Sequence, residues 1–295
     1  MPVHNEEAHL ARTLGAVLNQ TLPPSRIILV NDNSTDSSGE IINRFAAEFR
    51  NIDCVHITSS DLRLPGSKVV HAFNRGLQKL DASYDFIVKL DADLILPPGY
   101  FERIAQVFTS HPLVGIAGGF LIAKDVRGQW QIDHPMDRSH VRGGFKAYTN
   151  QCFEAIGGLK SAIGWDTVDE LLAQYHGFEI YTDDSLLVEN MRPVGEAYSE
   201  KAKLLQGQAM YSMRYGFWIT VLASLKMALK KDRASVFIDN MKGYFSAKRV
   251  ALPYLVSEAE GQFIRKLRWR NIRRKLFKGF RDRQAGKSVR EGNSK

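Results

Sequence analysis

Short apolar runs rich in β-branched residues alternate along this chain with segments of helical periodicity. The runs Ile27–Val30 and Phe86–Leu90 predict buried strands, whereas Glu6–Leu18 and Lys68–Leu80 place apolar side chains at helical spacing. Strands that alternate with helices in this way favour a parallel sheet covered on both faces. The sequence therefore predicts an α/β fold with a mostly parallel central sheet flanked by helices.

The remaining elements of this pattern follow in the same order. We predict helices over Gly39–Arg50 and Tyr100–Thr109, and strands over Cys54–Ile57 and Leu113–Phe120. The first helix begins almost at Met1, so a strand of at most three residues can precede it. We expect a segment of several residues upstream that would complete this strand.

Two polar clusters follow apolar runs where the predicted strands end. They are residues 31–36, Asn-Asp-Asn-Ser-Thr-Asp, and residues 91–93, Asp-Ala-Asp. The carboxyl ends of strands are where sheets of this class bind ligands. Asp91 and Asp93 can turn toward one hard cation, which would neutralise a diphosphate, although a solvated Asp-rich turn has the same sequence. Asp32 could accept a hydrogen bond from a nucleobase N–H, or this cluster could only cap the next helix.

The charge of the chain is concentrated at its C-terminus. The net charge is +8, and the segment Arg265–Lys295 alone carries +11, which leaves −3 for the rest. Apolar side chains at helical spacing in this segment are typical of a basic amphipathic helix at a membrane interface, and they are Trp269, Ile272, Leu276 and Phe280. No nucleic-acid-binding fold is recognisable, so we expect an anionic membrane surface rather than nucleic acid as the partner.

These patterns predict three regions along the chain and the cellular compartment in which it lies. We predict a catalytic domain over residues 1–205, a helical extension over 206–264, and a basic amphipathic tail over 265–295, partly disordered. The aromatic and Met-rich segment Gln206–Lys231 is either a buried helix or a surface helix that dips into lipid. Two cysteines, Cys54 and Cys152, cannot build a disulfide framework. We therefore expect a cytoplasmic protein, peripheral at the inner face of the cytoplasmic membrane.

Five short motifs in order resemble glycosyltransferase family 2. They are Pro2–Glu7, Leu18–Thr21, Val30–Asp36, Ala72–Leu77 and Leu90–Asp93. The resemblance covers roughly residues 1–195. It implies a GT-A type nucleotide-sugar-binding domain and a transfer that inverts the configuration of the sugar.

The resemblance also implies roles for individual residues. Pro2 and His4 would line the nucleobase pocket with Glu6 nearby, and Asp32 would recognise the base. Asp91 would lie near the ribose, and Asp93 would bind Mg²⁺ or Mn²⁺ with Asp91 beside it. Lys68 would lie near the diphosphate. The family often supplies a histidine ligand after the next strand, but residues 187–193 contain none, which leaves Glu189, Asn190, or phosphate and water to complete the metal site.

An inverting transfer also needs a carboxylate that accepts the proton of the acceptor hydroxyl. The family carries an acidic motif after a Gly-Gly turn, and here Gly157-Gly158 is followed by residues 164–170. The resemblance implies that Asp166 is this base, although it could instead be only an N-cap. Its predicted acceptor-side neighbours are Trp165, where an acid is more usual, and Asp169 and Glu170, which could bind the acceptor or tune the base.

We therefore predict a metal-dependent glycosyltransferase that moves one sugar from a nucleotide-sugar donor to a glycan or lipid-linked acceptor in cell-surface polysaccharide biosynthesis. Single transfer is favoured because Gln208 and Arg214 do not reproduce the Gln-x-x-Arg-Trp motif of processive members. One alternative is a haloacid-dehalogenase-like phosphohydrolase with Asp91 as nucleophile, Asp93 as acid and residues 183–184 as metal ligands. The other is a catalytically dead scaffold at the membrane.

Overall fold

The computed structural model describes residues 1–59, 66–81, 83–125, 127–133, 139–192 and 200–274. The chain divides into two compact units, Met1–Tyr198 and Ser199–Lys295. The three-part division made from the sequence, with boundaries at residues 205 and 264, stays a prediction.

A parallel sheet opens the first unit. Its strands β1 (Pro2–Val3), β2 (Ile27–Asp32) and β3 (Ile52–Ile57) lie in the order β1-β2-β3. The central strand β2 is buried at every position, as expected for a strand covered on both faces. Ile28 and Val30 pack there against Ala72.

Three helices accompany this sheet, and the first one starts later than predicted. They are α1 (Leu10–Leu18), α2 (Ser38–Glu48) and α3 (Ser67–Leu77). The start of α1 shifts because Asn5 has a left-handed backbone, with φ of 54°, and because the Glu6 and Glu7 N–H groups donate to the side chains of Ser38 and Asp36. Residues 5–7 therefore bind the N-terminus of α2 instead of extending α1.

A second, mixed sheet fills the rest of the unit. It contains β4 (Phe86–Leu90), β5 (Leu94–Ile95), β6 (Val114–Lys124), β7 (Trp130–Ile132), β8 (Phe145–Thr149) and β9 (Glu179–Asn190). Its strand order is β4-β8-β6-β9-β5, and β7 pairs with β6. The accompanying helices are α4 (Tyr100–Ser110), α5 (Asn150–Ala155) and α6 (Trp165–Tyr175).

The strand directions correct one part of the predicted fold. Parallel pairing holds for β1-β2-β3 and for β6 with β9, whereas β4 with β8, β6 with β8, β6 with β7 and β5 with β9 are antiparallel. A fully buried central strand is a continuous apolar run in either direction, so the apolar run of β6 could not reveal its partners. The α/β class is confirmed, and "mostly parallel" describes only the first sheet.

The second unit is helical. It contains α7 (Glu200–Ser212), α8 (Phe217–Lys231) and α9 (Ala234–Arg249), and residues 258–274 are also helical. Two glycines allow α7 and α9 to approach closely, because a Cβ at Gly207 would lie 1.9 Å from the Asn240 carbonyl oxygen and one at Gly243 would lie 2.0 Å from that of Leu204. Within the described part of the chain, no helix is both long and apolar enough to cross a membrane.

Candidate active site

The loop after β1 and the loop after β2 are tied together by hydrogen bonds. The ring Nδ1 of His4 lies 2.7 Å from the Asp32 carbonyl oxygen, and the Asn5 side-chain oxygen accepts from the Thr35 N–H at 2.8 Å. Pro2 pairs with Val30 in the register of the sheet. The structure therefore brings Pro2, His4 and Asp32 to the carboxyl ends of two neighbouring strands.

Asp32 has a partner that the sequence did not reveal. Its buried carboxylate accepts hydrogen bonds from the Ser59 N–H at 3.0 Å and from the Ser59 hydroxyl at 2.8 Å. Ser59 follows β3, so three parallel strand ends contribute to this corner. The carboxylate is held in one orientation and keeps lone pairs for a further donor.

Three carboxylates, which we call the acidic cluster, lie beside two cations. The cluster consists of Glu6, Asp91 and Asp93. The guanidinium of Arg192 binds Glu6 and also Asp93, with Nε 2.9 Å from the Asp93 oxygen. The ammonium of Lys89, itself buried in β4, pairs with Asp91.

The charge of the acidic cluster is incompletely balanced. Burial, and the electrostatic effect of Asp91, raise the pKa of Asp93 although Arg192 opposes this shift. Burial likewise raises the pKa of Glu6 to about 7, with Arg192 again opposing and the other two carboxylates adding to the rise. The Glu6 Oε2 atom is buried and has no hydrogen-bond partner among the described residues. Such a site favours an added cation or proton.

The carboxylates of this site can hold a divalent ion only if oxygen atoms of the substrate complete its coordination. In the described ranges no group of three or more His, Cys, Asp or Glu side chains is arranged to hold a metal. Asn190, one of the predicted extra ligands, accepts instead from the Arg192 N–H at 3.0 Å. Asp91 and Asp93 would therefore supply the carboxylate oxygens, and diphosphate oxygens and water the remainder, which Mg²⁺ tolerates. The unpartnered Glu6 oxygen and the raised pKa of Asp93 both indicate that positive charge can be accommodated here.

A Gly-Gly pair joins the acidic cluster to the predicted base. A Cβ at Gly144 would lie 2.9 Å from an Asp91 carboxylate oxygen, and one at Gly143 would lie 2.7 Å from the Trp165 ring and 3.0 Å from the Asp166 Cβ. Side chains at these two positions would force the neighbouring groups apart. The sequence predicted both acidic motifs but not the glycines between them.

Trp165 and Asp166 open helix α6. The preceding Gly164 has φ of 75°, a left-handed conformation that favours glycine, and Asp166 lies half-buried in the first turn. The Lys89 ammonium lies 5.3 Å from the centre of the Trp165 ring, which links this residue to Asp91. Lys68, also half-buried, lies at the start of α3, where a Cβ on Gly66 would be 3.3 Å from the Trp165 ring. The structure thus brings the start of α3, which carries Lys68, close to the start of α6, which carries Trp165 and Asp166.

A buried ionic cluster supports this end of α6, and we call it the Lys146 cluster. The Lys146 ammonium donates to Asp169 at 3.1 Å and to Glu170 at 3.0 Å. Tyr148 donates its hydroxyl to Asp169 at 2.5 Å, and His140 Nδ1 lies 2.9 Å from Glu170. Burial disfavours ionisation of both acids, but Lys146 and His140 outweigh it at Glu170 and lower its pKa.

This arrangement decides between the two roles left open for the acids after Asp166. Asp169 and Glu170 are only 2% and 5% exposed. Burial keeps both side chains from contacting an acceptor, so the predicted acceptor-binding role is replaced by a role in supporting the base. Lys146 also donates to the Asp166 carbonyl oxygen at 2.6 Å, so the cluster fixes the backbone that carries the predicted base.

Asp183, one of the metal ligands named for the phosphohydrolase alternative, is engaged elsewhere. The Asp183 carboxylate is buried and accepts from Arg103 Nε at 2.6 Å and from the Ser185 hydroxyl at 2.6 Å. Burial acts to raise the pKa of this carboxyl, but the hydrogen bonds from Ser185 and Arg103 outweigh it and lower the pKa. Asp183 therefore acts as a structural ion-pair partner in β9.

Comparison with known proteins identifies relatives in sequence. The model of the family described as "Glycosyl transferase family 2" matches residues 1–160. The chain is 31% identical over 116 residues to the poly-beta-1,6-N-acetyl-D-glucosamine synthase of Staphylococcus epidermidis, covering 39% of this chain and 26% of that protein. It is also 31% identical over 141 residues to the undecaprenyl-phosphate mannosyltransferase of Micrococcus luteus, covering 48% and 53%. The matches thus span about a quarter to a half of the length of these relatives.

Solved structures share the fold at low sequence identity. TarS 1–349 of S. aureus in complex with UDP-GlcNAc superposes with a TM-score of 0.55 at 15% identity, over 83% of this chain and 71% of that one. The mannosyltransferase PcManGT of Pyrobaculum calidifontis, in complex with GDP-Man and Mn²⁺, gives 0.55 at 16% identity, over 95% and 80%. These similarities confirm the predicted GT-A type of fold.

Proposed function

Since the chain belongs to glycosyl transferase family 2, we propose that it moves one sugar from a nucleotide-sugar donor to a glycan or lipid-linked acceptor in cell-surface polysaccharide biosynthesis. One observation carries the proposal: Gly143 and Gly144 hold the Asp91 carboxylate and the first turn of α6 on either side of one short backbone segment. An acidic site for the diphosphate and a carboxylate base are then neighbours. Such a pair suits direct displacement at a sugar carbon.

The donor side consists of the strand ends in the first unit. Asp32, held by Ser59, presents its free lone pairs to a nucleobase N–H, and His4 and Pro2 line the same corner. Lys68 at the start of α3 provides positive charge for a phosphate. UDP-GlcNAc in TarS and GDP-Man in PcManGT support a nucleotide sugar as the class of donor.

We propose that a Mg²⁺ or Mn²⁺ ion accompanies the donor. When bound, the ion would neutralise the diphosphate as it departs. Asp93 would hold it together with Asp91. The Mn²⁺ in PcManGT supports this choice of cofactor.

Asp166 acts as the general base of the transfer. The acceptor oxygen forms a bond to the anomeric carbon while the bond from that carbon to the diphosphate oxygen breaks. The electron pair leaves with the nucleoside diphosphate, and the hydroxyl proton passes to an Asp166 carboxylate oxygen. Attack from the face opposite the leaving group inverts the sugar configuration. The contact from Lys146 to the Asp166 carbonyl keeps the base in position.

The acceptor and the location of the enzyme form a further part of the proposal. The name of the M. luteus relative contains a lipid phosphate, and a basic C-terminus suits an anionic leaflet. The enzyme would then work as a peripheral protein at the inner face of the cytoplasmic membrane. Of the predicted tail stripe, Trp269 and Ile272 lie in the helix at 258–274, while Leu276 and Phe280 lie outside the described residues.

A screen of nucleotide sugars tests the proposed function. The purified chain is titrated with UDP-, GDP-, CDP- and TDP-sugars by calorimetry, with and without Mn²⁺, and slow donor hydrolysis is followed by release of the nucleoside diphosphate. We expect one nucleotide class to bind in a metal-dependent way and to be hydrolysed. Hydrolysis of simple phosphate monoesters with no nucleotide-sugar binding would overturn the proposal in favour of a phosphohydrolase.

A further inference from the structure

Helix α8 in the second unit has one buried face and, opposite to it, one exposed apolar face. The buried face consists of Ile219, Ala228 and the small polar residues between them, and it packs within the second unit. The opposite face carries the residues that we call the α8 stripe, which are Trp218, Leu222, Leu225 and Leu229. Their spacing of four, three and four residues keeps the stripe within about 60° of the helix circumference.

The α8 stripe is exposed. Trp218 is 68% exposed and Leu229 is 73% exposed, and the two leucines between them are also exposed. Single exposed apolar residues are normal on protein surfaces, but a continuous row of four large ones along one helix is not. An exposed apolar row of this kind marks a surface that another protein or lipid covers.

The exposed apolar surface continues onto α9. The Phe217 ring lies 6.1 Å from the Phe245 ring, which joins the two helices on the exposed side. Ile238 and Phe245 of α9 are themselves exposed, and they line a groove together with Lys242 and Arg249. The apolar surface is therefore bordered by positive charge.

The charge of this region identifies the partner. Helix α8 contains three lysines and no acidic residue, and residues 217–249 together carry a net charge of +5. Anionic headgroups complement this charge, whereas the acyl chains beneath them complement the stripe. A second copy of the chain would instead bring lysines of two α8 helices together with no acidic residue on either helix to pair with them.

We propose that α8 lies in the plane of an anionic lipid bilayer, with the α8 stripe inserted below the headgroups. The stripe runs over about 17 Å at 1.5 Å per residue, which is far less than the roughly 30 Å of a hydrocarbon core. This length suits a helix that lies along the interface and does not span it. The proposal does not depend on the transfer reaction, since it concerns a surface of the helical unit.

Tryptophan quenching by brominated lipids tests the insertion directly. The full-length chain is mixed with vesicles of phosphatidylcholine and phosphatidylglycerol that carry bromine on the acyl chains. All variants carry Trp269→Phe, because Trp269 is also partly exposed and belongs to the basic tail that is predicted to lie at the membrane. In this background we expect Trp218→Phe to remove most of the quenching and the blue shift. Trp130→Phe is the matched control, because Trp130 is also exposed, at 42%, but lies in the other unit. Quenching that survives when both Trp218 and Trp269 are replaced would overturn the proposal.

A second pair of variants tests the energetics of binding. Leu225→Glu combined with Leu229→Glu should weaken partitioning to anionic vesicles at least about tenfold, since burial of leucine side chains supplies that much affinity. Leu113→Glu is the control, because Leu113 is 62% exposed in the first unit and should stay within about twofold of wild type. Circular dichroism confirms that each variant is folded, and slow donor hydrolysis measured without vesicles should be unchanged in both.

Two results would contradict the inference. One is unchanged vesicle binding in the double variant. The other is a dimer of the wild-type chain in analytical ultracentrifugation that the double variant converts to monomers, because the stripe would then be covered by a second copy. Loss of nucleotide-sugar binding in wild type, by contrast, would affect the proposed function and leave this inference standing.

Discussion

The two acidic groups of the first unit differ in how their charge is balanced. In the Lys146 cluster every charged group has buried partners, and Lys146 itself contacts both Asp169 and Glu170. In the acidic cluster an oxygen of Glu6 has no partner among the described residues. Burial raises a pKa in both groups, that of Glu6 to about 7 and that of Asp169 to about 6, so the missing partner and not the pKa separates them. The first group is complete without a ligand, and the second is not. A complete set of hydrogen-bond partners therefore distinguishes a supporting network from a binding site, although both have similar residues.

Removing the predicted base should give the largest effect on catalysis. For Asp166→Asn we expect kcat to fall by about 10²–10⁴-fold, the range for loss of a general base. Donor affinity should stay near wild type, because Asp166 lies on the side of Gly143 and Gly144 opposite to Asp91. Steady-state kinetics with a glycan acceptor, together with donor calorimetry, measure both quantities. A parallel loss of donor binding would place Asp166 on the nucleotide side instead.

Breaking the balanced cluster should mainly reduce stability. Lys146→Met leaves two buried carboxylates without their cation, and loss of one partner of a buried ion pair costs about 3–5 kcal/mol. Urea unfolding measures the change in the free energy of unfolding. Lys160→Met is the control, because Lys160 is a half-buried residue whose ammonium donates to the Gly157 carbonyl oxygen and not to a carboxylate, and it should change stability by less than about 0.5 kcal/mol. Equal stability of the two variants would show that the Lys146 cluster is not a supporting network.

The sequence predicted one of these groups and missed the other for a physical reason. Asp91 and Asp93 follow an apolar strand directly, so a local pattern identifies them. Lys146 lies within β8, and its partners Asp169 and Glu170 lie more than twenty residues later on α6. A polar residue on a helix is expected to face solvent unless its distant partner is known. Helical spacing alone therefore could not show that these two acids point inward.

The same limit applies to the fold. Strand β4 has the predicted bounds and helix α4 differs by one residue, because their apolar patterns are local. Strand β8 was not predicted, since a buried lysine interrupts its apolar pattern. The need for glycine at positions 143 and 144 was also not predicted, because it comes from contacts with Asp91 and Trp165 that exist only in the folded chain.

Removing the positive charge of Arg192, which pairs with carboxylates of the acidic cluster, should strengthen metal binding there. Arg192 binds Asp93 with part of its side chain exposed, and such an ion pair is worth up to about 1 kcal/mol. For Arg192→Gln we therefore expect Mn²⁺ affinity without nucleotide to rise by up to about fivefold, measured by electron paramagnetic resonance. Arg103→Gln, which removes the ion pair to Asp183, serves as the control. Weaker Mn²⁺ binding in Arg192→Gln would mean that the arginine supports the metal site and does not compete with it.

The smallest expected effect is the contribution of His140 protonation to the free energy of unfolding, which should depend on pH. Burial favours the neutral ring, but the hydrogen bond and charge of Glu170 outweigh it and raise the pKa of His140, with Lys146 opposing and Asp166 adding. Because the folded-state pKa lies above the unfolded one, this contribution is present below about pH 6.5 and is lost as pH rises through the raised value. The difference in free energy of unfolding between wild type and His140→Gln, measured by urea from pH 5 to 9, should shrink across that window. A difference that does not change with pH would exclude protonation of His140 as its source.

Metal-dependent donor binding in two matched variants tests the comparison between binding site and base most directly. Asp93→Asn in the acidic cluster and Asp166→Asn in the first turn of α6 each remove one negative charge with little change in shape. Calorimetry with the nucleotide sugar found in the screen, with and without Mn²⁺, is run on both variants and on wild type. We expect Asp93→Asn to abolish the Mn²⁺-dependent gain in affinity and Asp166→Asn to retain it. Retention of that gain in Asp93→Asn, or its loss in Asp166→Asn, would contradict the assignment of Asp93 to the metal and of Asp166 to the base.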